Sequence, residues 1–204
     1  MKYILTLDYE HLDNGLFLTN IAQGLARFQN NRDDARLVVV HGESEYTERL
    51  IQTGIMREEA TIRAIKDLNH RLVALFADQG VSAVGLNGYQ RECITLEEGK
   101  LNINMDYIES LHHGPVLLLS NLVLNRKNNK PTPVPLNRYL EFLHMQFAPE
   151  ELILFSKYDH RSPSKENSSG PAPAPPDDLT GLSVPTHITT TAEFITRINQ
   201  NPDQ

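Results

Sequence analysis

Leu37-Val38-Val39-Val40-His41-Gly42-Glu43-Ser44-Glu45 is the stretch on which the reading of this chain turns. A run of β-branched residues favours a strand, and it stops at a His-Gly pair before a polar, helix-compatible segment. In open α/β sheets ligands bind there, in the crevice outside the carboxyl ends of the strands, where backbone groups and helix N-termini are exposed. A phosphate cradle at that point needs several glycines, so that backbone N–H groups can approach the anion. Glu43 and Glu45 stand where the anion would dock. The layout is that of a phosphate site with its charge inverted.

Outward from this strand (residues 37–40), four more apolar runs read as strands: Tyr3–Leu7 and residues 81–86, 116–119 and 152–155. Between them the apolar residues take a helical period. Leu18, Ile21, Leu25 and Phe28 recur behind a cap at Asn14, and Ile65, Leu68, Leu72 and Leu75 recur before a stop at Gly80. Alternating strands and helices predict parallel pairing through right-handed crossovers. Strands this uniformly apolar suit a sheet covered on both faces. The expected fold is therefore α/β, a three-layer αβα sandwich around a mainly parallel open sheet. One insertion interrupts it. Residues 92–96 and 101–104 flank Glu97-Glu98-Gly99-Lys100, a β-hairpin turning at Gly99. The hairpin reads either as a flap over a pocket or as a solvated edge.

Composition narrows the function classes. The chain has 204 residues, 40% hydrophobic and 22% charged, which fits a soluble globular protein with one substantial core. A net charge of −7 without a basic cluster argues against nucleic-acid binding. The opening Met1-Lys2-Tyr3-Ile4-Leu5 runs into Asp8 and Glu10, so neither a signal peptide nor a membrane span is expected. Cys93, the single cysteine, has no internal disulfide partner, and a reducing cytoplasm is the natural setting. A buried structural role suits it better than a catalytic one.

Residues 1–160 are expected to form the α/β domain. Residues 161–178 hold five prolines and no aromatic, too little apolar surface to offset their ordering entropy, and read as a disordered or extended linker. Residues 179–204 follow, with Thr190-Thr191-Ala192-Glu193 as a capping box opening a short helix that carries Phe194, Ile195 and Ile198 onto the body.

Several segments, taken in order, resemble the amino-acid kinase family, acetylglutamate kinases above all. The likeness covers about residues 1–160. It rests on the first strand and helix, the strand ending in His41-Gly42, and the stretch Val81-Ser82-Ala83-Val84-Gly85-Leu86-Asn87-Gly88. His113-Gly114-Pro115-Val116 and Leu152-Ile153-Leu154-Phe155-Ser156-Lys157-Tyr158-Asp159 complete it. The resemblance implies phosphoryl transfer to a carboxylate with ATP and magnesium, yet the family's machinery is largely replaced. A lysine and paired glycines should close the first strand, where Thr6-Leu7-Asp8-Tyr9-Glu10 stands. The family's Asn-x-Asp helix start reads Asn137-Arg138-Tyr139, with Glu141 one turn out of place. The nucleotide-binding half expected after residue 160 is replaced by the proline tract. Phosphoryl transfer is almost all positioning and charge neutralisation, so these losses argue against a working kinase.

Six residues are candidates for ligand binding. His41 is either an acid/base or contact residue or a local strut. Gly42 supplies the turn beside it. Asn87-Gly88 matches the turn that borders the acyl-amino-acid pocket of the family, and Asn137 the start of its Asn-x-Asp helix. Arg57 falls near the family's carboxylate-gripping arginine. Asp8, Glu10, His11 and Asp13 invite a metal reading but lack calcium-loop spacing, and His112-His113 suits a helix C-terminus better than a metal. The expectation is thus a catalytically degenerate kinase-fold protein that binds a small carboxylate metabolite, another protein, or a second copy of itself through the helix at residues 58–79, with no cofactor. One alternative is an ATP- and magnesium-dependent kinase acting on the carboxylate of an acylated amino acid. The other is a scaffold recruiting partners through the proline tract.

Overall fold

The structure, a computed structural model, describes residues 2–31, 36–111, 116–159 and 173–199. His112, His113 and most of the proline tract lie outside the described residues. The elements run β1 (Tyr3–Leu7), α1 (Gly15–Asn31), β2 (Leu37–His41), α2 (Tyr46–Gln52), α3 (Arg57–Asp78) and β3 (Ala83–Asn87). They continue with β4 (Ile94–Glu97), β5 (Lys100–Ile103), α4 (Met105–Ser110), β6 (Val116–Ser120), β7 (Leu122–Asn125) and β8 (Lys130–Pro133). The last are α5 (Leu136–Phe147), β9 (Glu151–Phe155), β10 (His187–Thr189) and α6 (Thr191–Asn199).

Six strands form one sheet in the order β10-β9-β1-β2-β6-β3, parallel at every pairing. Side chains alternate across it with period two. Leu5, Leu37, Val39, Leu118 and Phe155 meet α1, α3 and α6 on one face. Ile4, Val38, Val40, Leu117 and Leu154 meet α5, α4 and a second sheet on the other. This is the expected three-layer α/β sandwich. Coverage of both faces explains why β1, β2 and β6 are nearly all apolar. β3 departs from that pattern and from its expected span: it begins at Ala83, and Gly85 is exposed, because β3 is an edge strand.

The expected hairpin forms as β4–β5, with Glu98 (φ 48°) and Gly99 (φ 77°) both left-handed in the two-residue turn. It does not stand alone. It belongs to a four-stranded sheet, β5-β4-β7-β8, whose last two strands are not among those expected from the sequence. Strand β7 continues β6 past a single residue, Asn121, so one extended segment crosses from the first sheet to the second.

Helix ends follow their local chemistry. Asn14 Oδ1 accepts the Phe17 N–H at 3.1 Å and caps α1. Thr190 and Glu193 make the reciprocal bonds of a capping box at α6, 3.3 and 3.1 Å. Phe194 then packs edge-on against Phe155, ring centroids 5.6 Å apart. Just before α6, β10 pairs parallel with β9, so the chain after the proline tract adds a strand to the main sheet as well as a helix. The apolar face of α3 (Leu68, Leu72, Phe76) is buried against its own sheet and α1, which leaves its polar face for any partner. No described helix is long and apolar enough to cross a membrane.

Candidate functional site

Parallel strands bring β1, β2 and β6 to the same end of the sheet, and the chain departs from each into a loop. A crevice of about 480 Å³ opens there, within the range of small-molecule sites. Its walls are Tyr9 after β1, Gly42 and Glu43 after β2, Arg57 and Thr61 at the start of α3, and Asn121 between the sheets. Ile65 of α3, Pro133–Asn137 and Asp178 complete them. Gly42, Arg57 and Asn137 of the six candidates therefore converge on one cavity. His41, Asn87 and Gly88 do not line it.

His41 sits directly beneath the crevice, fully buried. Its Nδ1 lies 3.0 Å from Gly42 O, and its Nε2 lies 3.0 Å from Asn69 Nδ2. A carbonyl can only accept and an amide NH₂ only donate, so Nδ1 carries the proton and Nε2 accepts. Burial lowers its pKa from 6.5 to about 4, with the Gly42 bond opposing weakly. The ring is a neutral strut tying β2 to α3. Asn87 is buried too, its Oδ1 accepting from Ser120 Oγ at 2.8 Å. Gly88 is required by contact: a Cβ there would lie 2.7 Å from Leu122 O.

The field in the crevice is negative. Arg57 is the one cation among its described lining residues, and its guanidinium donates to Glu48. Glu43 accepts from Thr61 Oγ1 at 3.2 Å. Tyr9 is pushed above its ordinary pKa by partial burial and then by Glu48, Glu45, Glu43 and Asp13. Asp178, exposed as a residue, lines the crevice, and the Tyr9 N–H bonds its carboxyl. Burial of that carboxyl, then the Asp8 charge, raise it to about 6, against the stabilising Tyr9 N–H.

Asp178 lies in the tract expected to be a disordered or extended linker, of which residues 173–178 are described. Residues 173–179 run along the body. Lys157 N–H donates to Ala174 O at 3.1 Å, Ala174 N–H reaches Ser156 Oγ at 3.4 Å, and Leu179 is buried. Nothing in the sequence distinguished Asp178 from the solvated acids around it.

The acidic turn after β1 is partly paired within itself. Asp8 and His11 are fully buried and face each other at 2.6 Å, and His11 stacks on Phe17 with centroids 4.3 Å apart. Among the described residues no three His, Cys, Asp or Glu side chains converge as a metal site. Cys93 is buried and its thiol is pushed up to about 12 by desolvation, which leaves it unreactive.

Neither a protein-family model nor a curated protein matches the sequence. Solved structures do match the fold. An isopentenyl phosphate kinase superposes with a TM-score of 0.57 at 17% identity, over 76% of this chain and 72% of that one. Aspartate kinase from Synechocystis gives 0.61 at 11% identity, over 76% and 28%. N-acetylglutamate synthase from Neisseria gonorrhoeae, solved with coenzyme A and L-arginine, gives 0.57 at 14% identity, over 79% and 44%. At such identities likeness speaks of architecture alone. The chain has the α/β fold of the amino-acid kinases.

Proposed function

We propose that this protein is a binding module on the amino-acid-kinase fold, which holds a small metabolite in the crevice and does not transfer phosphate. The observation that carries the reading is the charge of the cavity. Glu43 and Asp178 face it, and Arg57 is already bonded to Glu48. Phosphoryl transfer requires cationic groups around the transferring phosphate. Losing one preorganised donor of that kind costs about 3–4 kcal/mol, and no lysine is among the described lining residues. The fold does not decide against this reading, since the similar structures include a synthase as well as kinases.

A thermal-shift comparison tests it, because a ligand that binds only the folded state raises Tm by mass action. Small metabolites, N-acetylglutamate and aspartate among them, are screened against ATP with magnesium. Stabilisation by a small metabolite with none by nucleotide is the expected result. Stabilisation by ATP with magnesium, together with ADP formation, would establish the carboxylate-kinase alternative instead.

A further inference from the structure

Asp178 reaches the crevice from a segment that spans the ends of β9 and β1 and then descends beside α5. Residues 173–176 lie against the turn after β9, where Lys157 N–H donates to Ala174 O at 3.1 Å. Pro176 is buried, and Leu179 is 2% exposed within the core on the α5 face. Leu179 N–H donates to Pro176 O at 3.0 Å, which folds residues 176–179 into a single turn. Further on, Ser183 N–H and Oγ donate to Glu141 Oε1 of α5 at 2.9 and 2.5 Å, and β10 follows. The segment is thus a strap fastened at both ends. Between the fastenings, the Asp178 carboxyl accepts the Tyr9 N–H from the loop after β1, and both residues line the crevice.

That hydrogen bond seats Asp178 among like charges. Its own burial opposes ionisation first, then Asp8, and Glu10 adds to them, while the Tyr9 N–H favours ionisation. Asp8 in turn faces His11 at 2.6 Å. Lys157, beyond β9, is paired with Asp177 at 2.9 Å. Glu43 and Arg57 stand on the crevice wall, and Arg57 is bonded to Glu48. Among the described lining residues, therefore, no unengaged cation faces the Asp178 carboxyl. We propose that residues 173–179 are a proton-sensitive strap on the crevice: with Asp178 neutral the turn is seated against Tyr9, and with Asp178 ionised it lifts more readily and opens the β1 side of the cavity. This inference rests on the crevice being the ligand site and concerns access to it. Its sign follows from linkage. The carboxyl is raised from the ordinary 3.8 to about 6 when seated, so seating is favoured below about pH 4 and the preference is lost as pH rises through 6. Burial of Leu179 supplies a hold that does not depend on pH.

Hydrogen exchange of the full chain, without ligand, reads the opening directly once the intrinsic pH dependence of exchange is divided out. The Tyr9 and Leu179 amides report on the strap, and the Val39 amide in β2 reports on global unfolding. The strap amides are expected to exchange faster than Val39 throughout. Their open population should rise about fivefold from pH 5 to 7.5, allowing for solvent screening of Asp178. Asp178→Asn should flatten that rise. Leu179→Ala should speed exchange of the strap at every pH and keep the slope. Strap amides that exchange no faster than Val39, or no faster in Leu179→Ala, would overturn the strap. A rise that persists in Asp178→Asn would place the titration on another group, such as His11, and overturn the switch. No readout here involves a ligand, so these failures leave the binding-module reading standing, and failure of that reading in the thermal-shift comparison leaves these results unchanged.

Discussion

His41 and Asn121 are joined by a backbone hydrogen bond of 3.0 Å, yet the two regions they anchor differ in kind. At the end of β2, both nitrogens of a fully buried imidazole are partnered, and the ring serves as a strut. At the break between β6 and β7, half of a buried amide is left without a partner beside an acidic cavity. A satisfied buried polar group is accounted for by the fold. An unsatisfied one keeps a capacity that the fold does not use, and this makes Asn121 the more informative residue of the pair.

Mutating the strut is expected to have the largest effect. His41→Ala opens a cavity and leaves Asn69 without an acceptor, and should cost about 2–4 kcal/mol in chemical denaturation. A cost below about 1 kcal/mol would show that the bond to α3 is not holding the sheet. Acid should act through the same ring. Its pKa is lowered in the fold, so its contribution is complete above pH 6.5 and is lost as pH falls toward about 4. That drop corresponds to about 3 kcal/mol. His41→Gln, which does not titrate, should flatten the denaturation midpoint over this window, and an unchanged pH dependence would assign acid sensitivity elsewhere.

The junction should behave in the opposite way. Asn121→Ala removes the bond to Val134 O but also an unsatisfied oxygen, so it should cost less than about 1 kcal/mol. A cost equal to that of His41→Ala would erase the distinction between the two regions. The smallest effect belongs to Asp178. Its carboxyl is raised to about 6 in the fold, so its contribution favours folding below about pH 4 and is lost as pH rises through 6. Asp178→Asn should therefore stabilise the chain at pH 7, by less than about 1 kcal/mol because solvent screens this exposed side chain.

The fold was legible where one local signal dominated. Apolar runs marked β1, β2, β6 and β9, Asn14 marked the start of α1, and Glu98-Gly99 marked the hairpin. Strand β7 was hidden because Leu122–Asn125 reads as the tail of β6, with only Asn121 separating the two. Strand β8 was hidden by Pro131 and Pro133, which an edge strand tolerates but a sequence pattern does not suggest. Strand β10 is three residues long, too short for any period to show. The site was legible only in part. Gly42, Arg57 and Asn137 followed from strand ends and family likeness. Asn121 and Asp178 depend on tertiary placement: one lies inside an apolar run, the other in a proline tract.

On the proposed reading, the charge at the end of this sheet excludes nucleotide. Calorimetric titration with ATP and magnesium, coupled to an assay for ADP, tests it most directly. No heat of binding at millimolar ATP and no ADP above the uncatalysed background is the predicted result. Saturable binding at micromolar ATP with steady turnover would contradict it.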